Sequence, residues 1–341
     1  MTEYIKLCDV CDFQGGSQPP KDEWSFDLKD GYIRMLQIRD FTQNEKVAPE
    51  YIKITKTTKT CGADDILIAR YGASLGKILT GLAGAYNVAI MRTIPDTNVL
   101  EKKYLYYYLK SPVFQRFLLN VGSRAAQAGF NKYDLQELLI PNITRNEQVK
   151  IVGILERVET VIEARQKELQ KLDDLIKARF VEMFSNNNYP ILKWCEVFNT
   201  TTGRLDSNAS VENGKYPFFT CSKDILKIDS YAFDQKALLL AGNNAAGKYD
   251  VKYYSGKFNA YQRTYVLGLK DNWSYQLFKY QLEDKLTYLQ QQSLGGLTKY
   301  LTMKILEQLD FIVPPIEKQL EFDDFVKQVD KSKFIQMNST I

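Results

Sequence analysis

The 341-residue sequence contains no histidine. That absence excludes Ser-His-Asp and Cys-His catalysis, an HExxH zinc site and a histidine facial triad. The five cysteines (Cys8, Cys11, Cys61, Cys195 and Cys221) are odd in number and scattered. They form no disulfide framework and fit a reducing compartment. No apolar run approaches the roughly 18 residues that span a bilayer. The start, Met1-Thr2-Glu3-Tyr4, lacks a charged-then-apolar leader. The expectation is a soluble cytoplasmic chain with no membrane partner. Charge of one sign is also scarce: 45 Lys and Arg against 41 Asp and Glu leave a net +4, which permits nucleic-acid binding without requiring it.

Several short motifs are decoys. Gly242-Asn243-Asn244-Ala245-Ala246-Gly247-Lys248 matches the phosphate-binding pattern G-x-x-x-x-G-K, but Tyr249 stands where a Ser or Thr would hold magnesium. Cys8-Asp9-Val10-Cys11 is a lone C-x-x-C without a second pair. Pro95-Asp96 with Glu101-Lys102-Lys103 has the residue types of a metal-dependent nuclease but reads as a charged turn entering a helix. No Asn/Asp-Pro-Pro-aromatic methyltransferase motif occurs. The chain is therefore expected to be non-enzymatic, with no catalytic residue, no metal and no cofactor.

What the sequence does have is a long helical pattern at its centre. Thr144 and Glu147 form a T-x-x-E capping box. Ile151, Leu155, Val158, Ile162, Leu169, Leu172, Ile176 and Met183 then recur at spacings of three, four or seven, a seam suited to pairing with another helix. A helix from Thr144 to Phe184 is roughly 60 Å long at 1.5 Å per residue. The residues before it read as mixed strands and helices: strands at Tyr32–Ile38, Tyr51–Ile54, Asp65–Arg70, Asn87–Arg92 and Leu135–Ile140, and a helix over Leu105–Leu119 interrupted by Pro112.

The same order returns after the helix. Leu192–Val197 echoes Ile5–Val10, and Ala237–Gly242 with Gly247-Lys248 echoes Ile66 to Lys77. Gly256–Asn259 with Arg263 echoes Gly84–Asn87 with Arg92. Phe311–Pro315 with Gln319 echoes Leu138–Pro141 with Gln148, and the later echoes lie about 171 residues apart. A second helix from Glu317 to about Gln336 carries Phe322, Phe325, Val326, Val329 and Phe334. The expected organisation is a duplicated unit of domain plus helix: residues 1–142, the spacer helix 143–186, residues 187–315, and a short helix 316–341 pairing with the spacer. Pairing is expected through Ile151, Leu155, Val158, Ile162, Leu169, Leu172, Ile176, Phe325, Val326 and Val329.

The strand Asp65–Arg70, the turns Gly76-Lys77 and Gly247-Lys248, and the strand exits at Pro141 and Pro314-Pro315 leading to Glu147-Gln148 and Lys318-Gln319 resemble the specificity subunits of type I restriction–modification systems. The resemblance covers essentially the whole chain, although the second helix is short for that family. It implies an α/β (α+β type) fold. Two similar target-recognition domains, separated by long coiled-coil helices in a pseudo-twofold repeat, each read half of a bipartite site in double-stranded DNA. The helices set the spacing and dock two methyltransferase (modification) subunits. Methylation and cleavage belong to those partners and to restriction subunits. A non-DNA coiled-coil interaction scaffold is the alternative.

Arg and Lys pair with guanine edges or phosphates, and Asn and Gln read adenine. On that chemistry the DNA-facing candidates of the first domain are Arg70, Lys77, Arg92, Arg124, Gln127, Asn131 and Lys132. Those of the second are Arg204, Asn243, Asn244, Lys248, Gln262, Arg263, Gln291, Gln292 and Lys299.

Overall fold

The structure, a computed structural model, describes residues 3–43, 47–122, 129–185, 188–245 and 247–338. It divides into two compact units, Met1–Ile162 and Glu163–Ile341.

Unit 1 opens with β1 (Tyr4–Lys6), α1 (Leu7–Val10), β2 (Cys11–Gly15), β3 (Tyr32–Leu36), α2 (Ile38–Thr42) and β4 (Tyr51–Lys53). It continues through β5 (Thr60–Cys61), β6 (Leu67–Ala69), β7 (Ile78–Leu79), β8 (Gly84–Tyr86) and β9 (Ile90–Pro95). Then follow α3 (Lys102–Lys110), α4 (Pro112–Gly122), β10 (Leu139–Pro141) and the start of α5 (Arg145–Phe184). The sheets have the orders β2-β9-β6-β7 and β4-β3-β8-β5, and a ladder joins β1 to β10.

The unbroken apolar run at β6 reflects burial on both faces. Ile66 and Ile68 point into a core with Leu105, Leu109 and Phe114 of the helices, while Leu67 and Ala69 face Leu36 and Tyr86. The expected helix Leu105–Leu119 is two helices. The chain breaks at Ser111 and Pro112 opens α4, where a missing N–H leaves no bond unmade. The strand expected at Asn87–Arg92 starts later, at Ile90, because the Asn87 side chain accepts from Ala89 N at 3.2 Å and holds a turn. The expected strand Leu135–Ile140 is a 3-10 turn (Tyr133–Leu135) followed by the short β10.

Helix α5 is capped as its sequence requires. Glu147 accepts from Thr144 N at 2.8 Å and from Thr144 Oγ1 at 2.7 Å. Its first turns lie on unit 1, where Val152 joins the core and the Tyr107 hydroxyl donates to Glu159 at 2.7 Å.

Unit 2 contains the rest of α5, then β11 (Ile191–Lys193), α6 (Trp194–Val197), β12 (Phe198–Thr202), β13 (Tyr216–Phe219), β14 (Leu226–Ile228) and β15 (Phe233–Ala241). Next come β16 (Asn243–Asn244), β17 (Val251–Ala260), β18 (Thr264–Leu269), α7 (Tyr275–Asp284) and α8 (Leu286–Gln292). The unit ends with β19 (Lys299–Tyr300), α9 (Met303–Leu306), β20 (Asp310–Ile312) and α10 (Ile316–Asn338). A six-stranded sheet runs β12-β18-β15-β17-β13-β14, and β11 pairs with β20. Leu238 and Leu240 face the helical core while Ala237 and Leu239 face Phe219 and Phe258, the same two-sided burial as β6.

Within unit 2, α10 runs antiparallel to the end of α5. Ile176, Met183 and Phe184 bury against Phe322, Val326 and Val329, with Leu172, Phe180 and Phe325 at the margin. Arg179 pairs with Glu321 at 2.8 Å and Lys333 with Asp173 at 2.7 Å, which fixes the direction. Of the expected pairing residues, Leu172, Ile176, Phe325, Val326 and Val329 meet here. Leu155 and Leu169 are half-buried outside any apolar cluster, and Ile151, Val158 and Ile162 are exposed. Among the described residues no helix is long and apolar enough to cross a membrane.

Candidate nucleic-acid interface

Hydrogen-bond register aligns the two domains residue by residue. Ala69 pairs with Ile90 as Ala241 pairs with Thr264, and Leu36 lies parallel to Tyr86 as Phe219 does to Ala260. Just beyond, Arg70 N donates to Ala89 O at 2.9 Å and Gly242 N to Arg263 O at 2.8 Å. Gly16 and Gly203 are equivalent too. A Cβ on Gly16 would overlap the Tyr86 and Asn87 carbonyls, and one on Gly203 the Ala260 and Tyr261 carbonyls. A residue lacking Cβ is needed at each point so that the loop can cross the strand end closely.

Five loops therefore gather at one end of each sheet. In unit 1 they are Gly16–Gln18, Gln37–Arg39, Arg70–Lys77, Asn87–Ala89 and the stretch from Gly129 to Lys132, with Tyr71 bridged to Gly129. In unit 2 they are Gly203–Asp206, Thr220–Ser222, Gly242–Lys248, Tyr261–Arg263 and Leu294–Tyr300. The last is joined to the Asn243-Asn244 edge, where Asn243 pairs with Tyr300 and Asn244 with Lys299. The frame is shared and the side chains differ.

The candidates within the described residues fall into two groups, with Arg92 apart from them. Exposed at the loop ends, with no side-chain hydrogen bond or ion pair among the described residues, are Lys77 in unit 1 and Arg204, Lys248 and Arg263 in unit 2; Gln291 and Gln292 are exposed at the end of α8. A second group is engaged. Arg70 donates to Phe130 O and Val88 O, both at 3.1 Å, and stacks on Tyr71. Asn131 accepts from Tyr133 N at 2.8 Å, Gln262 donates to Asp206 at 2.6 Å, and Asn244 accepts from Lys248 N at 3.3 Å. Lys132 is paired with Asp12, which raises the lysine pKa and lowers that of the carboxylate, chiefly through their hydrogen bond. Asn243 and Lys299 are half-buried on the paired edge. Arg124 and Gln127 lie outside the described residues.

Arg92 stands apart from both groups. It sits opposite Leu67 within the sheet, 2.8 Å from Asp65 and 3.0 Å from Thr60 O. Lys102 closes the same cluster onto Asp65 at 3.2 Å. The residue register-equivalent to Arg92 is Val266, opposite Leu239, so the expected echo with Arg263 does not hold. The Gly-Lys turns are likewise only approximate. Gly76 and Gly247 both take positive φ (79° and 66°), but Ala69 N binds Lys77 O where Ala241 N binds Asp250 O, so the second hairpin is longer.

The decoys resolve on the same frame. The Gly242–Lys248 loop leads into strand β17, so no helix N-terminus is there to receive a phosphate. No cluster of potential metal ligands occurs among the described residues. Lys102 of the nuclease-like pattern is held by Asp64 and Asp65.

Sequence reading chose Arg204 but missed the residues that the loops after Gly16 and Gly203 bring to the same ends, namely Ser17, Gln18 and Gln37 in unit 1 and Cys221 in unit 2. The signal was present: Gly16 and Gly203 stand at the same distance after the aligned Cys8 and Cys195.

One frame used twice, with a different set of polar loops at each sheet end, defines a duplicated two-domain protein. Comparison with known proteins places it more closely. The family model for the type I restriction modification DNA specificity domain matches residues 2–174 and again 188–341, so the chain belongs to that family. The EcoDI specificity subunit of Escherichia coli is 37% identical over 145 residues, 40% of this chain and 31% of that protein. The MjaVIII specificity subunit of Methanocaldococcus jannaschii is 22% identical over 197 residues, 55% of this chain and 46% of that protein. The matched stretch is thus less than half the length of either relative. The crystal structure of the S subunit from M. genitalium aligns over 99% of this chain and 91% of its own, at TM-score 0.53 and 16% identity. A chain from a type I R-M system structure aligns over 99% and 93%, at TM-score 0.54 and 17% identity. Those two likenesses establish the fold: two domains of mixed helix and sheet with the long α5 between them in sequence.

Proposed function

We propose that the chain is the DNA-recognition subunit of a type I restriction–modification complex. Residues 1–142 and 187–315 are its two target-recognition domains, each reading one half of a bipartite double-stranded site. Residues 143–186 form the spacer and 316–341 the helix that pairs with it. The helices set the gap between half-sites and dock two methyltransferase subunits. Methyl transfer and cleavage are carried by those and by restriction subunits, all in the cytoplasm. The chain itself catalyses nothing and takes no cofactor.

The observation that carries this reading is the repeated frame. Register-equivalent loops converge at one end of each sheet, and the residues they hold differ: Arg70 and Val88 against Gly242 and Gln262. That is the arrangement expected of a protein reading two unlike half-sites with one scaffold. Family membership supports it. The test is co-expression with a cognate methyltransferase subunit and mapping of modified bases by long-read sequencing. A split motif with a fixed gap is expected; a soluble complex that modifies no motif would overturn the proposal.

A further inference from the structure

The stretch Leu294–Tyr300 closes on itself at the loop end of unit 2. Leu294 N donates to Tyr300 O at 3.0 Å and Tyr300 N to Leu294 O at 2.9 Å. The stem is tied to the rest of the domain: Tyr300 and Lys299 pair with Asn243 and Asn244, and Leu301 N donates to Gly242 O at 2.8 Å. At the tip, Gly295 takes a φ of 99°, and a Cβ there would lie 2.2 Å from Thr298 O. Glycine is required for so tight a turn, so the tip has a set shape.

What this turn holds out is Leu297, which is 96% exposed. Among the described residues the next most exposed large apolar side chain is Tyr133, at 78%. Single exposed apolar residues are ordinary on protein surfaces. This one is carried on a braced turn among cations. A Cβ on Gly247, the neighbour of Lys248, would meet the Lys299 side chain at 3.4 Å, so the Lys248 turn lies against the stem. Arg263 is joined to the same place, because its carbonyl accepts from Gly242 N. Lys248 and Arg263 are exposed and make no side-chain hydrogen bond or ion pair among the described residues. From Lys285 to Leu306 the sequence holds three lysines and no acidic residue.

We propose that Leu297 is a wedge that enters one base step of the half-site read by unit 2 and unstacks it. This role rests on the DNA-recognition reading above and goes beyond it, because a wedge deforms the duplex as well as binding it. A polyanion answers the cations around the tip, and leucine is among the side chains that proteins insert between base pairs. Lys248 and Arg263 hold the duplex while Leu297, which buries almost nothing on its own domain, exchanges water for the faces of two bases. A thymine methyl is the other apolar feature that duplex DNA offers. Contact with it asks for an apolar platform beside the base edge, whereas Leu297 projects alone from its turn.

The test uses the full chain in complex with its methyltransferase subunit, on duplexes that carry the mapped motif. 2-Aminopurine, which brightens when it is unstacked, is placed at each position of both half-sites in turn. At least one position should brighten severalfold on binding by the parent complex. Leu297→Ala should abolish that signal while gel shifts show the duplex still bound, and Leu297→Met should restore it. A methyltransferase that extrudes its target base brightens the neighbours of that base by itself. The assignment therefore stands on the signal that Leu297→Ala removes. A brightening profile unchanged by Leu297→Ala, or no brightening by a parent complex that methylates the motif, would overturn the wedge and leave the recognition reading standing. So would a complex that brightens no step and is weakened by uracil in place of one thymine only when Leu297 is present, which would assign the leucine to a methyl contact. A complex that binds no duplex would overturn the recognition reading itself.

Discussion

A buried glutamine is the most informative residue of each repeat. Gln319 accepts from Ser274 N and donates to Pro314 O at 2.7 Å; Gln148 accepts from Glu101 N and donates to Val99 O and Ile143 O, both at 3.0 Å. Each staples the first turn of a long helix to the start of a domain helix. Gln319→Leu keeps the volume but orphans a buried amide and carbonyl, so a loss of about 2–4 kcal/mol is expected in denaturant melts. Gly203→Ala should be as damaging, because the added methyl overlaps the Ala260 carbonyl. Gly153→Ala has open space inside α5 and should stabilise by about 0.5–1 kcal/mol. The two glutamines were visible in the sequence as echoes, but their task was not. A glutamine in the first turn of a helix looks the same whether it meets solvent or a backbone far along the chain. Arg92 illustrates the converse: its residue type fits a DNA contact, and only the pairing with Asp65 shows that its charge is already answered.

At the scale of elements, what depended on local chemistry was legible. The T-x-x-E box, the apolar period of α5 and the double-faced runs at β6 and β15 all formed as their sequences require. Strand ends and register were not, because Asn87 and the 3-10 turn at Tyr133–Leu135 take residues from strands by hydrogen bonds that propensity does not encode. The seam of α5 also divides in a way that its regular spacing concealed. Residues up to about Ile162 lie on unit 1 and those from Leu172 pack on α10, leaving Glu163–Lys171 between the two anchored stretches. Inserting four residues there adds about 6 Å of helix. Methylome mapping should then show a gap changed by one or two base pairs with both half-sites intact; altered half-sites at constant gap would contradict the spacer role.

For the molecule as a whole, the net charge of +4 matters less than where cations are unengaged. Among the described residues, Arg204, Lys248 and Arg263 of unit 2 and Lys77 of unit 1 make no side-chain hydrogen bond or ion pair, whereas Arg70 and Lys132 of unit 1 are bound. Substituting Lys248 by Ala should weaken all DNA sequences alike and flatten the salt dependence by about one counterion. Arg263→Ala, if its partner is a base edge, should cost about 1–3 kcal/mol and relax one base pair of one half-site. Binding isotherms at several salt concentrations separate the two outcomes. The division into two repeats was readable from the order of motifs, and the loop residues that distinguish them only from register.

The short ladders at the foot of each domain carry one more consequence. Leu7 N bonds Leu138 O at 2.8 Å and Trp194 N bonds Leu309 O at 3.2 Å, so each domain leaves the chain and rejoins it at neighbouring points. Everything between those points is, in topological terms, a single insert with its two ends clasped together. Two splices, at sites that already touch, are enough to replace one insert by another while the helix that follows keeps its footing. A lineage under pressure to change what it reads could do so by trading inserts, without having to rediscover a fold.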